Sequence, residues 1–319
     1  MAQRLATVFG GSGFIGRNVV RLLARQGWRV RAAVRRPEWA AFLQPMGDVG
    51  QIGLVQANTR NAASVAAAVA GADAVVNAAG IYFQRGKQRF DAVHIEGARH
   101  IGAASAAAGV QSLVHISGLG GDENDSNSHF VRSKAGAEQA IRQTYPNATI
   151  LRPSVVFGPG DAFFNNLAAA GRMLPFMPAV GGDHSKFQPV YVGDVAAAVL
   201  ACLNDPATAG QTYELGGPKV YTMRQLAELV LRATGRTNKR VVYAPFALTK
   251  LAGLVGQFLP RPPITFDQAY MLEKDSVVHP GLPGLKELGV APTAAEVILP
   301  GYLERFRPSG SYSPTAAES

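Results

Sequence analysis

The sequence predicts an α/β protein, in which a doubly wound parallel sheet carries a smaller C-terminal α/β lobe. Two observations predict this fold. Short apolar runs alternate with segments whose apolar residues recur at helical spacing, which is typical of a parallel sheet with right-handed crossovers. In addition, the first apolar run, Leu5 to Phe9, leads through a glycine-rich turn into a helix that extends to Arg25.

The glycine turn predicts a Rossmann-type nucleotide site, because a strand, a glycine turn and a helix form a dinucleotide fingerprint. Gly10 permits the tight turn, Gly13 leaves room for a pyrophosphate, and Gly16 lets the helix approach the sheet. The spacing is G-x-x-G-x-x-G, and the alternative is a turn that binds nothing. The predicted contacts from this segment are Gly10, Ser12, Gly13, Phe14, Ile15 and Gly16.

The end of the second predicted strand, Arg29 to Val34, indicates which nucleotide is preferred. Folds that bind NAD place an acidic residue here for the ribose 2′-hydroxyl, whereas a 2′-phosphate favours arginine. Arg35 and Arg36 follow the strand, so the sequence predicts NADP(H) as the cofactor. Alternatively, the two arginines only flank the loop.

The remaining predicted strands each end in residues suited to the same ligand. The third, Ile52 to Gln56, precedes Asn58 and Thr59, which can bind adenine. The fourth leads into small residues, against which a cofactor can lie. The fifth and sixth end in a serine and a proline. The candidates from these three strands are Ala78, Ala79, Gly80, Ser117 and Pro153.

The second half of the chain predicts a discontinuous organisation. Residues 188–195 lead into a helix through Leu203, and residues 211–215 form a strand at or near the sheet edge. A helix is predicted over 222–234, with Thr222 as its cap and Gln225 three residues on. We therefore assign residues 1–157 and 188–216 to the nucleotide-binding domain, 158–187 and 217–307 to the smaller lobe, and 308–319 to a disordered tail.

Composition limits the partners. The 319 residues carry a net charge of +9, and residues 1–60 hold nine arginines against Glu38 and Asp48, a net +7. This excess marks a solvated face, or a surface for acidic protein or anionic lipid. Nucleic acid is not expected, because no recognition motif accompanies the charge. The single cysteine, Cys202, fits a reducing compartment, and we expect neither a leader peptide nor a membrane-spanning segment.

Two further features of the sequence have alternative interpretations. The apolar segment 244–259 suits an interfacial helix or a buried helix that caps the smaller lobe. Phenylalanines at 163, 164, 176 and 187 either wall a cleft above the nicotinamide or belong to the core.

Histidines at 94, 100 and 115 lack metal-ligand spacing, so no metal is predicted.

These segments together resemble the atypical short-chain dehydrogenase/reductase superfamily over almost the whole chain. The resemblance implies a strand-end serine, at Ser117, and a Tyr-x-x-x-Lys pair on the following helix. Lys134 matches the lysine that holds the nicotinamide ribose, but Phe130 stands where the superfamily has its tyrosine. Phenylalanine has no titratable proton, so the usual acid–base step cannot pass through it. Tyr82 and His129 are alternative donors, although structural roles suit them better.

A closer resemblance is to the short-chain-dehydrogenase-like accessory subunits of respiratory complex I and their bacterial relatives. It rests on Thr7 to Arg17, on Val131 to Ala135, on Val156 to Gly158 with Asp161 and Phe163, and on Gln188 to Val192 with Asp194 and Val195. The resemblance implies a structural NADP(H), and partners among complex I subunits where the peripheral arm meets the membrane. It also implies a peripheral location on the cytoplasmic side of the bacterial inner membrane, or on the matrix side in mitochondria.

Three functions therefore remain open at the level of sequence. The first is a non-catalytic, NADP(H)-binding accessory subunit of complex I. The second is an NADP-dependent reductase or epimerase that acts on a lipid, a quinone-pathway compound or a nucleotide sugar. The third is a redox sensor that binds NADP(H) and regulates a partner. Phe130 distinguishes the second from the other two, and association with complex I distinguishes the first from the third.

Overall fold

The computed structural model describes residues 3–119, 128–247 and 270–308, and these form two compact units. The first unit extends to Pro153 and adds Val192–Leu215 and Pro280–Ala291. The second contains Ser154–Tyr191, the described part of Gly216–His279, and the chain from Pro292 onward. The predicted apolar segment 244–259 lies outside the described residues from residue 248, as does the predicted tail from residue 309.

A seven-stranded sheet forms the centre of the first unit. Its strand order is β11-β6-β5-β4-β1-β2-β3, and every neighbouring pair is parallel. The order reverses between β1 and β4, which is the point where open α/β sheets bind ligands. The strands are β1 (Leu5–Phe9), β2 (Arg29–Val34), β3 (Ile52–Gln56), β4 (Ala74–Asn77), β5 (Ser112–Ile116), β6 (Thr149–Pro153) and β11 (Thr212–Leu215).

The helices of this unit form two groups. Helix α1 packs against α6, while α2, α3 and α4 pack side by side. Apolar residues of the second group, such as Val65, Ile101 and Ile141, share one core with the sheet residues Leu113 and Ile150. The helices are α1 (Phe14–Arg25), α2 (Ala62–Val69), α3 (Glu96–Ala107), α4 (His129–Thr144) and α6 (Val192–Asn204). A π-helical turn, Asp91–Ile95, precedes α3.

Residues 280–291 belong to the first unit, although the sequence assigned them to the smaller lobe. The reason is a backbone hydrogen bond at the sheet edge: the N–H of Glu214, on β11, donates to the carbonyl of Pro283 at 2.9 Å. Gly284 is needed there, since a Cβ on it would lie 2.8 Å from the carbonyl oxygen of Glu214. A segment distant in sequence thereby covers the last strand.

The described residues of the second unit form strand pairs and three helices around a separate core. β7 pairs with β10 and β8 with β13 in parallel, and β9 pairs with β12 in antiparallel fashion. The elements are β7 (Val156–Phe157), α5 (Phe163–Met173), β8 (Met177–Val180), β9 (Lys186–Phe187), β10 (Val190–Tyr191), β12 (Tyr221–Thr222), α7 (Met223–Ala233), β13 (Val241–Ala244) and α8 (Ala295–Leu303).

Aromatic residues form much of this second core. Phe164 and Phe187 are fully buried in it, and Phe163 packs against it, whereas Phe176 is exposed.

The predicted cap of α7 is confirmed, because Thr222 and Gln225 each accept a hydrogen bond from the other's backbone N–H. Within the described ranges, no helix combines the length and apolar character that crossing a membrane requires.

Candidate nucleotide-binding site

The glycine turn brings the backbones of β1, α1 and β4 closer than side chains would allow. Gly10 has a φ of +72°, which L-residues rarely adopt, and a Cβ on it would lie 2.6 Å from the carbonyl oxygen of Ala78. A Cβ on Gly16 would lie 2.1 Å from the carbonyl oxygen of Gly10. Both glycines are therefore required by the packing of the turn itself, with or without a ligand.

Gly13 differs from these two because its surroundings are open. A Cβ on Gly13 would meet only the carbonyl oxygen of Gly10, at 3.1 Å, and Ser12 and Gly13 are both exposed. Gly13 is also the N-cap of α1, so no side chain caps this helix, and its first turn holds no acidic residue. Uncapped N–H groups and the positive end of the helix dipole suit a pyrophosphate.

Arg35 and Arg36 are both exposed where β2 ends. The backbone N–H of Gly10 donates to the carbonyl of Ala33 at 3.1 Å, so the end of β2 lies beside the glycine turn. In the described part of the chain, no carboxylate lies within 4 Å of either guanidinium. The Arg36 guanidinium lies over the Trp39 ring, 4.4 Å from its centroid.

The ends of β3 and β4 form local turns. The backbone N–H of Arg60 donates to Asn58 Oδ1 at 3.2 Å, and the Thr59 carbonyl accepts from His100 Nδ1 at 2.8 Å. After β4, the backbone N–H of Ala79 donates to Asn77 Oδ1 at 3.2 Å. The mostly apolar residues 74–79 predict a fourth strand that runs to Ala79, but this Asx-type turn ends β4 at Asn77, because the side chain replaces the next strand as hydrogen-bond partner.

Ser117 and Lys134 lie at the carboxyl edge of β5. Ser117 is buried, and its Oγ has no hydrogen-bond partner among the described residues. Lys134 Nζ lies 3.4 Å from the Ile116 carbonyl oxygen, and burial lowers the pKa of Lys134 to about 8, against the opposing effect of the Glu138 carboxylate. Two polar groups with so few protein partners are suited to bind the hydroxyls of a ligand.

Phe130 lies one helical turn before Lys134, in a cluster of rings. Its own ring is only 8% exposed, and it contacts Tyr82 by stacking, at 5.8 Å between centroids. Phe90 and His94 meet it edge to face, each at 5.7 Å. Lys134 Nζ lies 5.9 Å from the Phe130 ring centroid. Phe130 thus places an apolar ring beside the lysine, at the position where the short-chain dehydrogenase/reductase superfamily has its proton-donating tyrosine.

Two buried histidines surround Lys134, and sequence reasoning assigned them no role. Ile81 N–H donates to His94 Nε2 at 3.0 Å, so the proton of His94 is on Nδ1, which contacts Ser133 Oγ at 2.7 Å. Asn77 Nδ2 donates to His115 Nδ1 at 3.0 Å. Burial, and next the Lys134 ammonium, lowers the pKa of both histidines to about 3. Both are therefore neutral at physiological pH, and no local pattern in the sequence identified them.

All the predicted contact residues belong to the first unit. They follow the carboxyl ends of five neighbouring strands and the start of α1, except Lys134 on α4 and Pro153, which ends β6 and accepts from the N–H of Leu119 at 3.0 Å. The uncapped helix, the open space at Gly13 and the unpartnered Ser117 Oγ are features that a dinucleotide fits.

Comparison with known proteins identifies the family. A family model described as the NmrA-like family matches residues 2–261. The chain belongs to the NmrA-like family. This NmrA-like chain is 33% identical over 314 residues to the mitochondrial NADH-ubiquinone oxidoreductase 40 kDa subunit of Neurospora crassa, covering 98% of this chain and 82% of that protein.

Two further similarities are to a named reductase and to a solved structure that contains NAD. A ceramide reductase of Caulobacter vibrioides is 32% identical to this NmrA-like chain over 209 residues, which cover 64% of the chain and 62% of the reductase. Among solved structures, MoeE5 in complex with UDP-glucose and NAD superposes with a TM-score of 0.68 at 18% identity, covering 94% of this chain and 97% of MoeE5. The structural similarity supports the Rossmann-like fold.

We predict that Gly13→Val abolishes nucleotide binding, because the branched side chain enters the open space in front of α1. The measurement is the nucleotide released when the purified protein is denatured. Gly53→Val is the matched control, since Gly53 is an exposed strand residue with no atom within 4 Å of a Cβ. An unchanged nucleotide content in Gly13→Val would show that the glycine turn is not the site.

We also predict that the free energy of unfolding falls as the pH is lowered from 7 to 5. His94 and His115 bind protons at about pH 6.5 when unfolded but only near pH 3 when folded. Acid therefore favours the unfolded state, by about 2 kcal/mol for each histidine at pH 5. Urea unfolding at several pH values measures this loss.

The double variant His94→Gln/His115→Gln should show a much shallower pH dependence of stability than the wild type. His129→Gln, at an exposed position of α4, is the control for removing a histidine from the surface. If the double variant and the wild type lose stability equally between pH 7 and pH 5, the buried histidines are not the cause.

Proposed function

We propose that this protein is a non-catalytic, NADP(H)-binding accessory subunit of respiratory complex I, which stabilises the junction between the peripheral arm and the membrane arm. The observation that carries the proposal is the combination of Phe130 with Lys134. The cofactor-binding residues are retained, while the position of the proton donor holds a buried phenyl ring among Tyr82, Phe90 and His94. This arrangement favours binding of a nucleotide without catalysis of its oxidation or reduction.

Each part of the site has a binding role in this proposal. The N-terminal turn of α1, with Gly10, Ser12, Gly13, Phe14, Ile15 and Gly16, holds the pyrophosphate. Arg35 and Arg36 bind the 2′-phosphate, and Asn58 and Thr59 flank the adenine. The Ser117 hydroxyl and the Lys134 ammonium hold the nicotinamide ribose, between Ala78, Ala79, Gly80 and Pro153. In its reduced form the bound nucleotide would carry a transferable hydride.

The partner is inferred from similarity and charge. The Neurospora crassa relative is named as a subunit of NADH-ubiquinone oxidoreductase, and it aligns over nearly the whole of this chain. The arginine excess of residues 1–60 supplies attraction to acidic protein, with anionic lipid as a further candidate partner. We place the protein peripherally on the cytoplasmic face of a bacterial inner membrane, or on the matrix face if it is mitochondrial.

We predict that the nucleotide released on denaturation is NADP(H), in preference to NAD(H), because Arg35 and Arg36 stand where NAD-binding folds hold an acid. Arg35→Asp should reduce this preference by about 1.5–3 kcal/mol, the range for hydrogen bonds to charged groups. Arg25→Asp, on the exposed end of α1, is the charge-matched control and should retain it. Release of NAD(H) alone, or of no nucleotide, would contradict the assignment.

We predict that the native protein co-migrates with complex I on native gels after extraction of membranes with mild detergent. Charge and apolar contacts both contribute to peripheral attachment, so high salt alone should release it only partly, and salt with detergent should release more. A protein that remains wholly free after gentle lysis and never co-migrates would contradict the complex I function. Binding of NADP(H) without co-migration would instead favour a redox sensor.

The alternative is an NADP-dependent reductase or epimerase. The similarity to a ceramide reductase over 209 residues favours a carbonyl group on a lipid as its substrate. With Phe130 in place, general acid catalysis, which typically contributes about 10²–10⁴-fold, has no hydroxyl at position 130 through which to act, and the stacked Tyr82 is the neighbouring alternative donor. Robust turnover of a carbonyl substrate with NADPH, lost in Ser117→Ala, would establish this alternative.

A further inference from the structure

Trp39 is an exposed tryptophan on a hydrogen-bonded turn. Its side chain is 71% exposed, although it lies only five residues after the end of β2. It ends a 3₁₀ turn, Pro37–Trp39, in which its backbone N–H donates to the Arg36 carbonyl at 3.2 Å. A ring this exposed gains little from burial, and the contact that it does make is with the guanidinium of Arg36.

The backbone around Trp39 is anchored on both sides. Arg36 is the N-cap of the turn, and Pro37 at its start restricts the backbone further. The next residue, Ala40, and then Leu43 are fully buried, and their backbone N–H groups donate to the carbonyls of Pro37 and Ala40 at 2.9 and 3.0 Å. The indole therefore projects from a turn whose backbone is hydrogen-bonded on both sides, immediately beside the predicted 2′-phosphate site.

Arg36 uses this indole as a platform. Its guanidinium carbon lies 4.4 Å from the Trp39 ring centroid, within the range of a cation–π contact. Within the described ranges, no carboxylate lies within 4 Å of the guanidinium, and Glu38 in the same turn does not pair with it. A guanidinium stacked on one face keeps its N–H donors available for a phosphate.

We propose that Trp39 is a positioning residue for nucleotide selectivity, which holds the Arg36 guanidinium ready for the 2′-phosphate of an adenine dinucleotide. The proposal deepens the proposed function and rests on its NADP(H) site. An exposed arginine loses side-chain freedom when it binds a phosphate, and stacking on a rigid ring removes part of that freedom beforehand. The effect concerns the 2′-phosphate alone, so it strengthens binding of NADP(H) and leaves NAD(H) unchanged.

The test measures selectivity by exchange. The full-length protein is equilibrated with mixtures of NADPH and NADH, free nucleotide is removed, and the bound ratio is quantified after denaturation. Trp39→Ala should lower the preference for NADPH about two- to fivefold, the worth of an exposed cation–π contact. Trp39→Phe, which keeps a ring under the guanidinium, should retain most of it. Phe42→Ala is the matched control, since Phe42 is a 45% exposed aromatic of the same segment.

A double-mutant cycle separates positioning from a general structural role. In an Arg36→Ala background, adding Trp39→Ala should change the selectivity no further, because the ring then has no guanidinium to position. The proposal is overturned if Trp39→Ala leaves the selectivity unchanged or lowers binding of both nucleotides equally. It is also overturned if Trp39→Ala lowers the selectivity as much in the Arg36→Ala background as it does in the wild type. Loss of co-migration with complex I in Trp39→Ala, at unchanged selectivity, would make the indole a contact for a partner protein instead.

The wild-type arm of the same experiment tests the proposed function separately. A wild-type protein that binds neither nucleotide, or prefers NADH, contradicts the NADP(H) site itself. A wild-type protein that prefers NADPH, together with an unaltered preference in Trp39→Ala, overturns only the role of Trp39.

Discussion

The carbonyl oxygen of Gly10 is the point on which the geometry of the first unit depends. It accepts the N–H of Gly13 at 2.9 Å and lies where a Cβ on Gly16 would be, so it brings the start of α1 onto the end of β1. Gly10 itself lies against the backbone of Ala78 after β4. Three backbone segments thus meet without side chains between them. Any residue larger than glycine at positions 10 or 16 must move backbone, which a packed interior resists.

This close approach has a consequence for ligand binding. Because the turn leaves the first N–H groups of α1 without a side-chain cap, the helix start is an electropositive surface at the switch point of the sheet. The surrounding strand ends contribute arginines, small residues and a buried serine. Gly10 and Gly16 serve the packing of the turn, whereas Gly13 between them leaves open space in front of α1.

The groups around Lys134 determine which roles its ammonium can take. A buried ammonium is costly unless it has partners, and here its neighbours are a carbonyl, aromatic rings and two histidines that remain neutral. The low dielectric depresses the pKa values of all three basic groups. Phe130 contributes an apolar ring where a hydroxyl would be needed for proton transfer. A ligand with hydroxyl groups would accept hydrogen bonds from this ammonium, for which the described residues supply only one carbonyl oxygen as acceptor.

The sequence by itself determined the alternation of strands and helices, the glycine turn, the arginines after β2 and the absence of tyrosine at position 130. These depend on local rules: periodicity identifies each element, glycine marks positions of steric need, and a residue's chemistry is readable from its identity. The strands β1, β2 and β3 have the predicted bounds for this reason. The early end of β4 was missed, because the Asx-type turn at Asn77 competes with the ladder in a way that apolar patterning does not register.

Only the tertiary structure decided which distant residues meet. The π-helical turn before α3 carries His94, β5 carries His115, and α4 carries Ser133 and Lys134. Nothing in their spacing shows that they share one buried pocket. The stacking of Tyr82 on Phe130 and the covering of β11 by residues 280–291 are likewise contacts between separate segments. All of these features escaped prediction for the same physical reason. The pKa values, the ring stacking and the pairing at the sheet edge depend on distances in space, which are set by the packing of the whole unit.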